Sequence, residues 1–235
     1  MEQVFYFDLN DRELLFYKYK QEIEDIIIRN KNHVAKFLIK IVKLILFYPN
    51  KIKEGVCNEE GILQIFIKDR IKRVFYVSSS KITSVYFPFH IPIDRKKYII
   101  KYLDILIDEQ KLICIEKLIN DENLFDKMRI NGEILDLQIE IESALEDIVG
   151  EFHLQDRVVK EVMRLYLELL ILEDGYIRFE EDETREHPKI HPRFHFDIFY
   201  TNGATFKLGA SNKTTLSSFI DLLNLKTECF YLQKS

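Results

Sequence analysis

Three short runs of β-branched and aromatic residues follow one another between Ile62 and Phe89. They read ILQIFIK, KRVFYV and ITSVYFPF, and only short polar breaks separate them. Runs of this length and composition, bounded by turn residues, are typical of β-strands. The sequence therefore predicts an antiparallel meander of three strands, which ends at Pro88 and Pro92.

Apolar residues three and four positions apart indicate helices on both sides of this meander. In chain order, we expect helices over 10–27 with Asn10 as the cap, over Val34–Phe47, over 94–106 with Asp94 as the cap, over most of the acidic stretch 108–150, and from Asp156 to about 170. Within the acidic stretch, KLICIEKLI and EILDLQIEIE are also compatible with strands.

Strand patterns return in the C-terminal part of the chain. YIRFEED follows the turn sequence EDG at 173–175, and RFHFDIFY and ATFKLGA flank TNG at 201–203, which is a strong hairpin signal. Thr214 or Thr215 is expected to cap a short helix, LSSFIDLLN, and TECFYL is a candidate last strand.

These patterns together predict the α+β class. The N-terminal part has helices and an antiparallel meander, the middle is acidic and helical, and the C-terminal part is a β-hairpin unit with a short helix. We place two domains, 1–103 and 104–235, with a single domain over 1–235 as the alternative.

The composition predicts a globular, cytoplasmic chain that does not associate with membranes. Hydrophobic residues make up 47% of it, and Cys57, Cys114 and Cys229 are too scattered for a metal motif, so we expect reduced thiols. The N-terminus carries acids and has no basic leader region. The most apolar window, FLIKIVKLILFYP, contains Lys40 and Lys43 and is shorter than the ~20 residues of a membrane span. A core helix is the expected interpretation, with a membrane-surface helix as the alternative.

Charge is distributed unevenly along the sequence. The segment 18–101 has 18 Lys or Arg against 8 Asp or Glu, whereas 104–186 has more than twice as many acids as bases. Such polarity can mean that the two halves face each other, or that charges only solvate helix faces. It can also mean a basic surface for nucleic acid or for an acidic partner.

The histidine-rich segment EHPKIHPRFHFD, Glu186–Asp197, is where titratable and metal-binding groups concentrate. Three of the six histidines lie in it. Alternation along a strand predicts that Arg193, His195 and Asp197 share one face, with Phe194, Phe196 and Ile198 on the other. A histidine and a carboxylate at this spacing can share a proton or bind one metal ion.

A metal site is one alternative for this segment, formed by His191, His195 and Asp197. It requires a bend between His191 and Arg193, because an extended chain would separate the two histidines by about 13 Å. Pro192 restrains this stretch to an extended or turn conformation. No cofactor is predicted otherwise, and structural or solvent-facing histidines are the remaining interpretation.

A catalytic site is the other alternative, formed by Arg193, His195, Asp197 and Arg178. Arg178 alternates with Ile177 and Phe179, and it would join the polar face if its strand pairs with RFHFD. Arginine, histidine and carboxylate on one face could clamp a phosphate and transfer protons, as a ribonuclease requires. The acidic run 180–183 could supply metal ligands or a general base opposite His195. An ordinary ion-pair patch has the same composition.

A nucleic-acid surface is a further candidate, on the second strand of the meander. Phe75 and Tyr76 could stack on bases beside Arg70, Lys72 and Arg73, although core aromatic residues are the alternative. The sequence contains no glycine-rich phosphate loop and no GxSxG nucleophile motif.

The order ILQIFIK, VYFPF, YIRFEED, HP, HFDI and FIDLLN resembles a bacterial family of unknown function, over about Ile62–Phe89 and Tyr176–Asn224. Some small toxins of toxin–antitoxin pairs carry a similar aromatic–Arg–acidic run followed by HP and HxH. Asp197 stands where that pattern has its second histidine. The resemblance implies a prokaryotic protein of a mobile or defence locus.

Two functions follow from these observations as expectations. The first is a non-enzymatic component of an anti-phage defence or toxin–antitoxin system, which contacts another protein encoded at the same locus. The second is a nuclease, acting on RNA, with the Arg178, Arg193, His195 and Asp197 face as its centre. RNA or DNA and a second copy of the chain are further candidate partners, and a divalent metal is a candidate cofactor.

Overall fold

The structure is a computed structural model that describes residues 2–11, 14–24, 28, 31–95, 97–121, 124, 134–172, 176–199 and 205–227. Its helices are α1 (Leu14–Glu24), α2 (Lys31–Phe47), α3 (Glu109–Asn120), α4 (Ile134–Phe152), α5 (Asp156–Ile171) and α6 (Leu216–Leu222). Its strands are β1 (Gln3–Asp8), β2 (Lys53–Glu54), β3 (Ile62–Lys68), β4 (Ile71–Val77), β5 (Lys81–Tyr86), β6 (Ile93–Asp94), β7 (Lys97–Tyr98), β8 (Ile100–Tyr102), β9 (Ile105–Ile107), β10 (Tyr176–Glu181), β11 (Phe194–Phe199) and β12 (Thr205–Gly209). The predicted α+β class is confirmed.

The chain divides into two compact units, and each is assembled from separate segments. Unit 1 contains 1–21, 50–87 and 174–235, and unit 2 contains 22–49 and 88–173. The boundary predicted at 103/104 falls inside unit 2. The basic and acidic halves of the sequence are therefore redistributed: unit 1 has 18 Lys or Arg and 17 Asp or Glu, whereas unit 2 has 16 and 22.

Unit 1 is built on an eight-stranded antiparallel sheet. Its strand order is β12-β11-β10-β5-β4-β3-β1-β2. The predicted meander forms β3, β4 and β5, and Val77 pairs with both Ile62 and Ile82. The meander and the predicted C-terminal hairpin unit are joined in one sheet, because β10 pairs with β5 on one side and β11 on the other.

The first strand of the sheet was not predicted. β1 pairs along its whole length with β3, from Gln3 with Ile67 to Asp8 with Ile62. Asn10 lies four residues before the described start of α1, and its side-chain amide donates to the Glu60 carbonyl at 2.7 Å. Whether it caps the helix depends on residues 12–13, which lie outside the described residues. The predicted turns at 173–175 and 201–203 lie outside the described residues, and so does the predicted strand TECFYL after its first residue, Thr227.

A hydrophobic cluster covers one face of this sheet. The ring of Phe219 on α6 contacts Phe75 on β4 and Phe196 on β11, with ring centroids 5.7 and 5.3 Å apart. The side chain of Thr215 accepts a hydrogen bond from the Ser218 amide and caps α6, as predicted. The capped helix thus buries its apolar side, with Leu216, Phe219 and Ile220, on the sheet.

Unit 2 combines helices with two small hairpins. The predicted helix α2 buries the face that carries Phe37, Ile41 and Ile45, which confirms the core-helix interpretation. It is held to α3 by an ion pair between Lys43 and Glu116 at 2.8 Å. Among the described helices, none combines the length and apolar character that crossing a membrane demands.

The helix predicted over 94–106 is wrong. This stretch forms two short hairpins, β6–β7 and β8–β9. Arg95 and Leu103 lie in their turns with positive φ angles of 46° and 52°. Neither residue is a usual signal for a left-handed turn conformation, which explains why apolar spacing favoured a helix here. The stretch KLICIEKLI is helical, in α3, and so is the described part of EILDLQIEIE, which lies in α4 from Ile134 onward.

Candidate functional site

The two faces of β11 differ as alternation predicts, but the polar face is the more deeply buried one. Phe194 and Phe196 pack against the hydrophobic cluster and are partly buried. His195 and Asp197 point to the opposite face and are 0% and 3% exposed. A polar face without solvent must find its partners within the protein.

The neighbouring strand β10 provides the first of these partners. Arg178 pairs in register with Asp197, and Glu180 pairs with His195. The predicted arrival of Arg178 on this face is therefore observed. We refer to Arg178, Glu180, His195, Asp197 and, from β12, Lys207 as the polar cluster.

His195 is oriented by the loop that precedes its strand. Its Nδ1 lies 2.8 Å from the Pro192 carbonyl oxygen, which can only accept, so Nδ1 carries the proton. In the neutral ring, Nε2 is then an acceptor and faces the cluster. The Lys207 ammonium lies 3.3 Å from Nε2, and Asp197 Oδ1 lies 3.7 Å from it.

Asp197 is held between two cations. Arg178 donates to its Oδ2, and Lys207 Nζ lies 3.4 Å from its Oδ1. Burial by itself raises the pKa of Asp197, but the hydrogen bond and charge of Arg178, with the charges of Lys207 and His195, lower it overall. The carboxyl group is therefore ionised in the folded protein at neutral pH.

Glu180 has three cationic neighbours of its own. Its carboxylate lies 2.9 Å from Arg178 Nη2, 3.2 Å from Lys81 Nζ and 3.3 Å from Arg185 Nη2. Arg185 also bridges to Asp182, so the network continues into the loop after β10. A groove lined by Ser80 and residues 180–185 reaches this end of the cluster.

Arg193 does not join the polar cluster, which corrects the predicted sharing of one face. It precedes β11, and its guanidinium lies over the Phe194 ring at 5.4 Å from the centroid. It pairs with Glu181 at 2.8 Å and Glu183 at 3.1 Å. The alternation rule fails because Arg193 lies outside the regular strand.

His191 reaches His195 by the bend that a three-ligand site requires. Backbone hydrogen bonds between His187 and His191 close a tight turn, and the rings of His191 and His195 lie 4.6 Å apart. Within the described chain, however, neither ring nitrogen of His191 makes a hydrogen bond. Asp182 Oδ2 lies 3.8 Å from its Nε2. The group of side chains that could hold one metal ion contains Glu180 in place of His191: Glu180, His195 and Asp197 each offer one ligand atom within 4.8 Å of the others.

The predicted nucleic-acid surface is not a continuous surface. Phe75 is fully buried, and Tyr76 points to the opposite face of the sheet. Arg73 donates to Ser84 from Nε and Nη2, and burial lowers its pKa to about 10. Burial also lowers the pKa of Lys72, whose ammonium lies 6.0 Å from the centroid of the Tyr86 ring. Arg70 is exposed in the turn between β3 and β4.

Chemically, the polar cluster has the groups that proton transfer and metal binding require. Sequence reasoning placed Glu180 in an acidic run that could lie opposite His195, but it missed Lys81, Arg185 and Lys207, which neutralise the carboxylates. The full chain matches no protein-family model, no curated protein and no solved structure.

Proposed function

We propose that this protein works by binding another protein, as a non-enzymatic component of a prokaryotic anti-phage defence or toxin–antitoxin system. The resemblance of Ile62–Phe89 and Tyr176–Asn224 to a bacterial family of unknown function implies a mobile or defence locus, and this supports the setting. The polar cluster supports the non-enzymatic mode of action.

The observation that carries this proposal is the closure of the polar cluster. A general acid or base must come within hydrogen-bond distance of the substrate proton. His195 is 0% exposed, and its Nε2 faces Lys207 and Asp197. The buried carboxylates of Glu180 and Asp197 are matched by basic side chains. Such an ion network holds three strands in register, and it leaves recognition to the surface of the protein.

Unit 2 is the acidic part of the protein and the favoured binding surface. Its segments carry six more acids than bases. Glu142 and Glu146 are exposed about one turn apart on the same side of α4, where they would face a basic partner, and Glu151 is exposed on the other side near the end of the helix. Complementary charges accelerate association. Their attraction weakens as ionic strength rises, because the Debye length falls from about 10 Å at 0.1 M salt to about 3 Å at 1 M.

The test is co-expression with the product of the neighbouring gene, followed by light scattering and pull-down at low and high salt. We expect a complex that weakens as salt increases. Replacing Glu142→Lys and Glu146→Lys together should weaken it further, because the two acids lie on one side of α4. The matched control is Glu59→Lys with Glu60→Lys, two exposed acids of unit 1, which should leave the complex intact. A protein that stays monomeric and captures no partner at any salt concentration would contradict the proposal.

A nuclease remains the second candidate, because Arg178, Lys207, His195 and Asp197 lie together. Two cations could hold a phosphate, and His195 could exchange protons with help from Asp197. Such an enzyme must open the cluster when it binds RNA. His195→Ala should then reduce RNA cleavage by roughly 100-fold or more. Absence of cleavage of single- and double-stranded RNA by the wild-type protein would remove this candidate.

A further inference from the structure

We propose that Glu180, His195 and Asp197 form a site for a divalent transition-metal ion, and that the Lys207 ammonium occupies the cation position until the ion displaces it. The site would fix the C-terminal strands of the sheet. It is independent of the proposed protein-binding function.

The three side chains have the geometry of a ligand set. They project from two directly paired strands, with Glu180 opposite His195 and Asp197 two residues further along β11. One ligand atom of each lies within 4.8 Å of the others, and His195 Nε2 is 3.7 Å from Asp197 Oδ1. A sheet is a rigid support, so this arrangement exists before an ion binds.

Each ligand already has the outer partner that metal ligands need. Histidines that bind metals usually donate their other ring N–H to a carbonyl or carboxylate, and ligating carboxylates are themselves hydrogen-bonded. His195 donates from Nδ1 to the Pro192 carbonyl. Arg178 donates to Asp197 Oδ2, and Arg185 donates to Glu180 Oε1.

One oxygen of each carboxylate lacks a hydrogen bond. Within the residues that the structure describes, no hydrogen bond reaches Glu180 Oε2 or Asp197 Oδ1, although both atoms are buried. Buried acceptors of this kind normally find a partner. Glu180 Oε2 is ion-paired with Arg178 Nη2 at 2.9 Å, and Asp197 Oδ1 and His195 Nε2 both face the Lys207 ammonium. An ion that replaces Lys207 would therefore meet all three atoms, and it would have to compete with Arg178 for Glu180.

Lys207 shows where that ligand lies. Its Nζ is 3.3 Å from His195 Nε2 and 3.4 Å from Asp197 Oδ1. Its side chain is 35% exposed and projects from β12, the edge strand of the sheet, so it can turn outward into solvent. A divalent ion in its place would bind the same two atoms and gain Glu180.

The donor set indicates the class of ion. One imidazole nitrogen and two carboxylate oxygens suit zinc or manganese better than magnesium or calcium, which prefer oxygen alone. Three protein ligands would leave a position for water. Arg178, Lys81 and Arg185 oppose any cation here, so affinity depends on removal of the Lys207 charge from the site.

The test is isothermal titration calorimetry of the full chain with ZnCl₂, with Co²⁺ absorption as a spectroscopic probe of the ligand set. We expect one site per chain and visible Co²⁺ bands. Lys207→Met should bind Zn²⁺ more tightly by about tenfold or more, because an ammonium at this distance repels the ion. His195→Ala and Glu180→Gln should each weaken binding by roughly 100-fold, at least as much as loss of an outer partner.

The control is His187→Ala, which removes an exposed histidine of the same loop and should bind as the wild type does. Circular dichroism shows whether each variant is folded. If His195→Ala is not folded, the loss of binding is measured with Glu180→Gln alone. The proposal is overturned if the wild type and Lys207→Met both fail to bind Zn²⁺, or if binding is lost in His187→Ala and kept in Glu180→Gln.

Discussion

Arg178 is the cation that the buried carboxylates of Glu180 and Asp197 share. Its side chain is 26% exposed, whereas Asp197 and Glu180, which it contacts, are 4% and 3% exposed. Arg178→Met would leave both carboxylates buried close together with one shared cation removed. Breaking a buried pair by removing one partner costs about 3–5 kcal/mol of unfolding free energy. At roughly 2–4 °C per kcal/mol for a chain of this size, the melting temperature should fall by about 6–20 °C.

The matched control is Arg193→Met, since Arg193 also bonds two acids, Glu181 and Glu183, but at the surface. Exposed ion pairs are worth about 0–1 kcal/mol, so this variant should remain close to the wild type. Urea unfolding followed by circular dichroism measures both. The double variant Arg178→Met, Asp197→Leu should recover much of the loss, because it removes the unpaired charge.

Two outcomes would refute this reasoning. One is an equal loss of stability in Arg178→Met and Arg193→Met, which would mean that burial does not distinguish the two ion-pair sets. The other is a double variant that is no more stable than Arg178→Met, which would mean that the loss comes from packing and not from charge.

Two further predictions concern acid and the core. The pKa of Asp197 is lower in the folded state than in the unfolded chain, where it is about 3.9. Its charge therefore stabilises the fold at any pH above about 3.9, and this stabilisation is lost as the pH falls from there through the folded-state pKa. Between pH 6 and pH 3, the urea midpoint should therefore fall less in Asp197→Asn than in the wild type. An equal fall of the midpoint in the two proteins would contradict this. Phe219→Ala should lower the free energy of unfolding by about 3–5 kcal/mol, because the Phe219 side chain is fully buried between α6 and the sheet. Leu225→Ala, at an 88% exposed position, should change stability by less than about 0.5 kcal/mol, and similar losses in the two variants would exclude the observed packing.

Local patterns predicted the regular parts of the fold. The meander, α2 and the Thr215-capped α6 each carry their signal within a few residues, as period-two alternation, helical spacing or a capping side chain. The short hairpins of 93–107 carry no such local signal, because their turns use Arg95 and Leu103 in place of glycine or asparagine. Strand β1 had a local signal as well, because QVFYFD is as rich in β-branched and aromatic residues as KRVFYV, but its pairing with β3 was not predicted.

The candidate site was predicted only in part, because local patterns do not show which strands lie side by side. Spacing along one strand identified His195 and Asp197, but the residues that complete the cluster come from other strands. Lys207 had a usable signal: the TNG hairpin implies pairing symmetric about position 202, which places Lys207 opposite Asp197, as observed. The pairing of Glu180 with His195 depends on the loop after β10, whose conformation no local pattern specified.

The connection between β5 and β10 has a consequence for synthesis of the protein. These strands are neighbours in the sheet, yet most of unit 2 is encoded between Tyr86 and Tyr176. At about 5–20 residues per second, the roughly 90 intervening residues delay the arrival of β10 by roughly 5–20 s. During that interval the nascent chain on the ribosome presents β5 with an unpaired edge, to which other chains can add. Chaperone capture of the growing polypeptide should therefore concentrate on the time between translation of β5 and translation of β10.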